Sequence, residues 1–201
     1  MQISWLEYIY SHGYVHHNIK PANLLMSISE DESCTHVINF GLPNWYWLSS
    51  HQSHIPYTGY MAFTGTTHFL SVNRHPGIEQ SCRDDLELLA YFLIYFLWGS
   101  LPWQGLKVKS SKERYTRTMK KKIVMADMLC TGLPLAFTMF LHYAQNLAFD
   151  ATSDYLLEVT WLCEQVWQQL DTFKWPQQWK RENVDTSWIW TSNTQFSRLA
   201  L

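Results

Sequence analysis

The four cysteines of this 201-residue chain, Cys34, Cys82, Cys130 and Cys163, are far apart, and no C-x-x-C pair occurs. That excludes a zinc-knuckle or redox motif and a dense disulfide frame, and implies reduced thiols in an intracellular protein. Charge of one sign is also lacking. The net charge of -2 gives no global pull toward nucleic acid or an anionic membrane. The opening MQISWLEYIYS has no basic region followed by an apolar run, so no secretory signal is read there. The strongest apolar run, residues 86–98, is shorter than the roughly 20 residues a bilayer-spanning helix takes.

What is present suits one globular domain followed by a tail. Hydrophobic residues make up 47% of the chain. Residues 86–98 are apolar at every position except Glu87, the pattern of a helix buried on all sides. Asp84 and Asp85 stand at its start, where carboxylates meet the positive end of the helix dipole. Gly99 and Pro102 end it. Upstream, Ile3, Leu6, Ile9 and Tyr10 have helical spacing with no capping residue before them, and His12-Gly13 stops that helix. The chain thus opens as if already inside a helix. Residues 16–23 read as a loop, and 24–28 and 37–40 as two short strands joined by an acidic turn. Residues 43–76 show no sustained period and read as a long ordered loop, a length that is usually functional or disordered.

Downstream, residues 107–122 carry eight Lys and Arg and read as a solvated helix face. Pro134 starts a helix with Phe137, Phe140, Leu141, Ala144 and Leu147 along one face. A last helix spans 155–170, with Leu156, Val159, Leu162, Cys163 and Val166 on one face. Residues 171–201 are polar with scattered tryptophans and read as a poorly ordered tail. Eleven tryptophans in all, many outside the periodic segments, point either to an unusual binding surface or to a sequence drifting without tight selection. His51 and His54 have a metal-ligand spacing, but no third ligand stands near them in the sequence.

Particular motifs then carry a resemblance. His16-His17-Asn18-Ile19-Lys20-Pro21-Ala22-Asn23, a strand pair and Asn39-Phe40-Gly41 are similar to the H-R-D-x-K-x-x-N and D-F-G motifs of protein kinases. HIPY (54–57), FTGT (63–66), GIEQS (77–81), RDDLE (83–87), GSLPWQGLK (99–107), LCTGLP (129–134) and LAFD (147–150) resemble the casein kinase I family of Ser/Thr protein kinases. The resemblance covers roughly residues 1–165 and the C-terminal lobe alone. It implies a mainly α fold for residues 1–170: helices packed around a central buried helix, with a short β-hairpin beside the catalytic loop. The family's N-terminal lobe supplies a Gly-rich loop, a strand lysine and a helix glutamate. None is found in this sequence, which has no G-x-G-x-x-G.

The resemblance also assigns roles by position. Asn18 stands where the family has its catalytic aspartate; an amide is practically non-basic, and losing a general base costs about 10²–10⁴ in rate. Asn39 stands where the D-F-G aspartate binds magnesium, a hard ion that prefers anionic oxygen. Lys20 would contact the transferred phosphate and Asn23 the second metal. Asp85 would hold the backbone of the catalytic loop, with Asp84 the competing candidate for that role and a plain helix cap the simpler reading of either. For recognition of phosphorylated substrates, the family's Gly-Thr-Ala-Arg is here Gly65-Thr66-Thr67-His68, and its lysine before a tyrosine is Arg114 before Tyr115. His68 would be mostly neutral at pH 7, which weakens the patch. His17 replaces the motif arginine, and Trp45 and Trp47 appear where the family is basic and polar.

Three functions follow as expectations. The first is a catalytically inactive, pseudokinase-like module that binds a protein or peptide through the substrate-side surface. The second is a divergent Ser/Thr kinase whose other lobe is encoded upstream, and the third a gene copy in decay with no function. No cofactor is expected, ATP and Mg²⁺ entering only if the family activity survives. No nucleic acid or membrane partner is expected, and the resemblance implies the cytoplasm or nucleus.

Overall fold

The computed structural model describes residues 4–26, 35–40, 44–48, 53–59, 67–151 and 165. The expected helix at 155–170 (save Gln165), the 171–201 tail, Gly41, His51 and residues 60–66 lie outside them. The described chain is dominated by helix, with three two-stranded antiparallel sheets.

Helix α1, Ser4–Ser11, buries Leu6, Ile9 and Tyr10, the apolar positions read from its spacing. Gly13 ends it as expected. Its φ is 80°, its N–H donates to the Tyr10 carbonyl at 2.9 Å, and a Cβ there would come within 3.2 Å of the Trp47 carbonyl oxygen. Only glycine meets both demands cheaply. The chain then forms β1, Tyr14–Val15, a loop, and a 3-10 turn at Pro21–Asn23 with proline at its start. Strand β2, Leu24–Met26, pairs antiparallel with β3, Thr35–Val37, so the hairpin expected beside the 16–23 loop is present. Its second strand lies earlier than the 37–40 read from the sequence. Asn39 has φ 69°, in the left-handed region, and turns the chain before a strand can continue.

The stretch 43–76 is more structured than its lack of period suggested. Strand β4, Asn44–Trp45, pairs with β1, which places Trp45 opposite Tyr14 with ring centroids 4.0 Å apart. Strands β5, Trp47–Leu48, and β6, Ser53–His54, form a third pair. Two-residue strands are too short to leave a readable alternation in the sequence.

Helix α2, Cys82–Trp98, is the hub. All its residues are buried except Arg83, Tyr95, Phe96 and Trp98. Gly99 closes it in the left-handed conformation (φ 72°), donating its N–H to the Tyr95 carbonyl at 2.7 Å. Helix α3 is Ser111–Val124, α4 is the short Ala126–Leu129, and α5 is Leu135–Asn146. The face of α5 read from the sequence is the one that packs: Phe137, Phe140, Leu141 and Ala144 are buried, and α5 makes its main contact with α2. Each phenylalanine so buried contributes about 1.5–3 kcal/mol relative to exposure. Cys82 and Cys130 are buried and form no disulfide among the described residues. Among the described residues, no helix is long and apolar enough to cross a membrane.

The 107–122 stretch corrects one expectation. It does form a helix with a largely exposed face, capped by Ser110, whose hydroxyl accepts from the Glu113 N–H at 3.1 Å. Lys122, however, is 1% exposed, and the neighbouring Lys121 ammonium donates to the Pro102 carbonyl at 2.8 Å. The end of the basic run is therefore an anchor and not a solvated face.

Candidate functional site

The first turns of α2 carry three buried carboxylates, and each faces a different part of the chain. Adjacent helical residues project about 100° apart, so Asp84 and Asp85 cannot serve the same segment. Asp84 accepts from the Ser81 N–H at 2.9 Å, binding its own helix start, and from the Ser71 hydroxyl. Asp85 reaches the 16–23 loop: Oδ2 accepts from the His16 N–H at 2.6 Å and Oδ1 from the His17 N–H at 2.7 Å. The choice left open between the two aspartates is thus made by geometry in favour of Asp85. Glu87 accepts from the Val72 N–H, the Tyr91 hydroxyl at 2.6 Å and the Gln145 amide at 3.2 Å.

Burial dominates the chemistry of these acids. It pushes the Asp85 carboxyl up to about 7, against the pull of the two loop N–H groups and with a further push from Asp84. It likewise raises Asp84 to about 6, opposed by the bonds from Ser71 and Ser81. Two short bonds from Asp85 to consecutive amides hold His17 at φ 65°, a left-handed conformation uncommon for a residue with a side chain.

His16 is the residue that sequence reasoning left without a role. Its ring is fully buried. Nδ1 accepts from the Asn18 N–H at 3.3 Å, which leaves Nε2 to carry the hydrogen and donate to the Ile38 carbonyl at 3.1 Å. Burial lowers its pKa, partly offset by the Ile38 bond, and the neutral ring matches this pattern of one acceptor and one donor. His16 therefore ties the 16–23 loop to the segment after β3. The signal was its place at the head of the stretch similar to H-R-D-x-K-x-x-N, in the loop that Asp85 holds.

Three of the residues singled out in the sequence come together here. The Asn23 side-chain amide donates to the Asn18 carbonyl at 2.7 Å, and the Asn39 amide donates to the Asn23 side-chain oxygen at 3.4 Å. The backbone closes the same ring, since Asn23 N–H donates to the Lys20 carbonyl and Ile38 N–H to the Asn23 carbonyl. Lys20 is half-buried at the edge of this cluster. Phe40 packs edge-on against His16 with centroids 5.0 Å apart, yet it remains 49% exposed.

Magnesium, the ion that the sequence resemblance implies at this place, selects anionic oxygen. Asn18, Asn23 and Asn39 offer neutral amides, and the Asn23 oxygen is already taken by Asn39. The nearby Asp85 carboxylate is turned onto backbone N–H groups. This donor set does not fit a divalent cation. What it can do is hold a loop.

His68 and Arg114 lie on a second face. Arg114 is exposed on α3, and His68 is half-buried, its carbonyl accepting from the Trp103 indole at 2.7 Å. Burial lowers the His68 pKa, with further contributions from the Lys122 and Arg114 charges, so the two patch residues are electrostatic neighbours and His68 is neutral at pH 7. The patch offers one exposed guanidinium. His54 bonds its Nδ1 to the Ile55 carbonyl and packs between Tyr46 and Phe149, so it serves as an interior ring. No protein-family model matches the chain.

Proposed function

We propose that the chain is a catalytically inactive scaffold, similar to the C-terminal lobe of a casein kinase I-like protein kinase, that binds a protein or peptide. The supporting observation is the asparagine cluster. At the place where phosphoryl transfer needs a general base and anionic metal ligands, the side chains of Asn18, Asn23 and Asn39 are neutral amides, with Asn23 bonded to the Asn18 backbone carbonyl and Asn39 to the Asn23 side-chain oxygen. The supports of such a loop are kept: Asp85 holds two of its backbone amides and His16 fixes it to residue 38. A loop with its struts and without its reactive groups favours recognition over chemistry. The partner is a polypeptide that contacts the surface around residues 17–22, His68 and the exposed Arg114. ATP and Mg²⁺ are not cofactors of this module, and it acts in the cytoplasm or nucleus.

The test is thermal unfolding of the purified chain with and without ATP and Mg²⁺. The midpoint stays constant under this reading, because a site that binds only the folded state would raise it. A metal-dependent rise, together with phosphate transfer to a casein-like acidic substrate, would favour the divergent-kinase reading instead. Restoring carboxylates with N18D and N39D separates the two further. Mg²⁺-dependent stabilisation gained only in the double variant supports loss of the metal site as the cause of inactivity.

A further inference from the structure

A cavity of about 160 Å³ lies where α2, α3 and α5 meet, lined by Val72, Asn73, Glu87, Ile123 and Gln145. A single water needs only about 10–15 Å³ of such space, so a small organic group fits. Glu87 is its buried wall, and the exposed Ile123 stands at its mouth. The Glu87 carboxyl accepts from the Tyr91 hydroxyl at 2.6 Å, the Gln145 amide at 3.2 Å and the Val72 N–H at 3.2 Å. All its partners donate, the pattern of an ionised carboxyl. They are unevenly shared. Oε1 takes the Tyr91 and Gln145 bonds, while Oε2 has only its part of the Val72 N–H at 3.2 Å. Oε2 therefore has room for another donor. A buried carboxylate is ordinarily paired with a cation. No ion pair among the described residues uses Glu87. The Lys122 ammonium is engaged elsewhere, by the Thr67 and Leu70 carbonyls and over the rings of Tyr91 and Trp103 at 4.7 and 5.1 Å.

Two further acceptors line the same space. Gln145 spends its Nε2 on Glu87 and on the Tyr91 hydroxyl, and those bonds leave its amide oxygen without a partner among the described residues. Asn73 brings a second amide. Val72 and Ile123 supply aliphatic surface. We propose that this cavity binds a guanidinium group, with Glu87 Oε2 and the Asn73 and Gln145 amide oxygens as its acceptors and the attached methylene chain against Val72 and Ile123. The proposal stands on the cavity and not on any kinase resemblance, so its failure leaves the proposed function untouched.

The donor set selects among cations. A guanidinium is a planar fork of N–H donors, more weakly hydrated than an ammonium, so it enters a partly dry site at lower cost and serves several acceptors at once. An ammonium is compact and strongly hydrated, and gives up more water for the same contacts. A neutral amide would leave the carboxylate without a counter-charge. A hard divalent ion draws on more oxygen ligands than one carboxylate and two amides, and no cluster of metal-ligating side chains occurs among the described residues. The guanidinium comes from an arginine of a polypeptide or from a free guanidino compound; the recognition chemistry is the same.

The experiment titrates the whole chain with agmatine, with a blocked Gly-Arg-Gly peptide and with its Gly-Lys-Gly counterpart. Binding is followed by NMR at the Val72 backbone amide and the Gln145 side-chain amide. Both guanidinium probes should saturate these signals, and the lysine peptide should bind about tenfold more weakly or worse. Tighter binding of the arginine peptide assigns a polypeptide source, and tighter binding of agmatine a free small molecule. Ile123→Trp closes the mouth from an exposed position and should lower the affinity by about tenfold or more, as should Glu87→Gln, which removes the charge. Absence of saturation by either guanidinium probe overturns the proposal. So does a lysine peptide that binds as tightly as the arginine peptide, or undiminished binding by the Ile123→Trp chain. If Glu87→Gln does not fold, Ile123→Trp and the lysine comparison still decide.

Discussion

Helices α2 and α3 face each other across Lys122 and are built on opposite principles. Helix α2 is apolar on nearly every side, and its buried carboxylates Asp84, Asp85 and Glu87 hold other segments in place. Helix α3 is polar on nearly every side and reaches the core through an ammonium. Dispersion and water exclusion fix the apolar faces of α2. Helix α3 is held by the hydrogen bonds of the Lys122 ammonium to the Thr67 and Leu70 carbonyls. One molecule thus contains a helix whose place is set by packing and another whose place is set by charge, and the 16–23 loop hangs on the first.

Removing a strut from α2 should have the largest effect. Asp85→Ala leaves the His16 and His17 N–H groups without their acceptor in a dry site. At about 1–3 kcal/mol for each orphaned group, a loss of about 2–6 kcal/mol is expected in urea unfolding. The loop 16–23 should lose exchange protection before the rest. An unchanged midpoint would show that the loop does not need the aspartate.

Next comes a cut in the packed face. Leu89 is fully buried, and Leu89→Ala should cost about 2–5 kcal/mol with loss of a single cooperative transition's steepness no greater than experimental scatter. A change in that steepness would mean α2 is not part of one cooperative unit.

A smaller effect is expected from His75, on the α3 side. Its pKa is lowered to about 3, chiefly by burial, so the folded chain excludes a proton that the unfolded chain binds below about 6.5. Its contribution is full above pH 6.5 and lost as the pH falls toward 3. Over that window the unfolding constant should rise by up to tenfold per pH unit, and His75→Gln should reduce the slope. Asp84 and Asp85 act in the opposite sense. Their raised values make their contribution greatest below about pH 4 and lost as the pH rises through 6 to 7, so only the difference between variant and parent isolates His75.

The smallest effect belongs to the outer face of α3. Arg117 pairs with Glu113 at 2.7 Å one turn away, both partly in solvent, and Arg117→Ala should cost no more than about 0.5 kcal/mol in thermal unfolding. A larger loss would mean that the exposed face of α3 helps to hold it.

Much of this arrangement could be read along the chain because it depends on short-range pattern. The unbroken apolar run marks α2, the spacing of Phe137, Phe140, Leu141 and Ala144 marks the packed face of α5, and Gly13 and Gly99 mark two stops that the structure places in left-handed conformations. The motif positions Asn18, Lys20, Asn23 and Asn39 were also visible. Lys122 was not, because a lysine at the end of a basic run looks like its solvated neighbours until Leu70 and Thr67 are brought against it. The two-residue strands of 44–54 fell below the length at which alternation shows.

The sequence by itself determined which residues are chemically able to act. An amide at positions 18 and 39 cannot be a base or an anionic ligand in any fold, because that property belongs to the side chain. Tertiary structure decided what the remaining groups do. Which of Asp84 and Asp85 faces the loop, which nitrogen of His16 carries the hydrogen, and whether Lys122 meets water or two carbonyls all depend on partners distant in sequence. A charge or a hydrogen-bonding group takes its role from what burial leaves beside it.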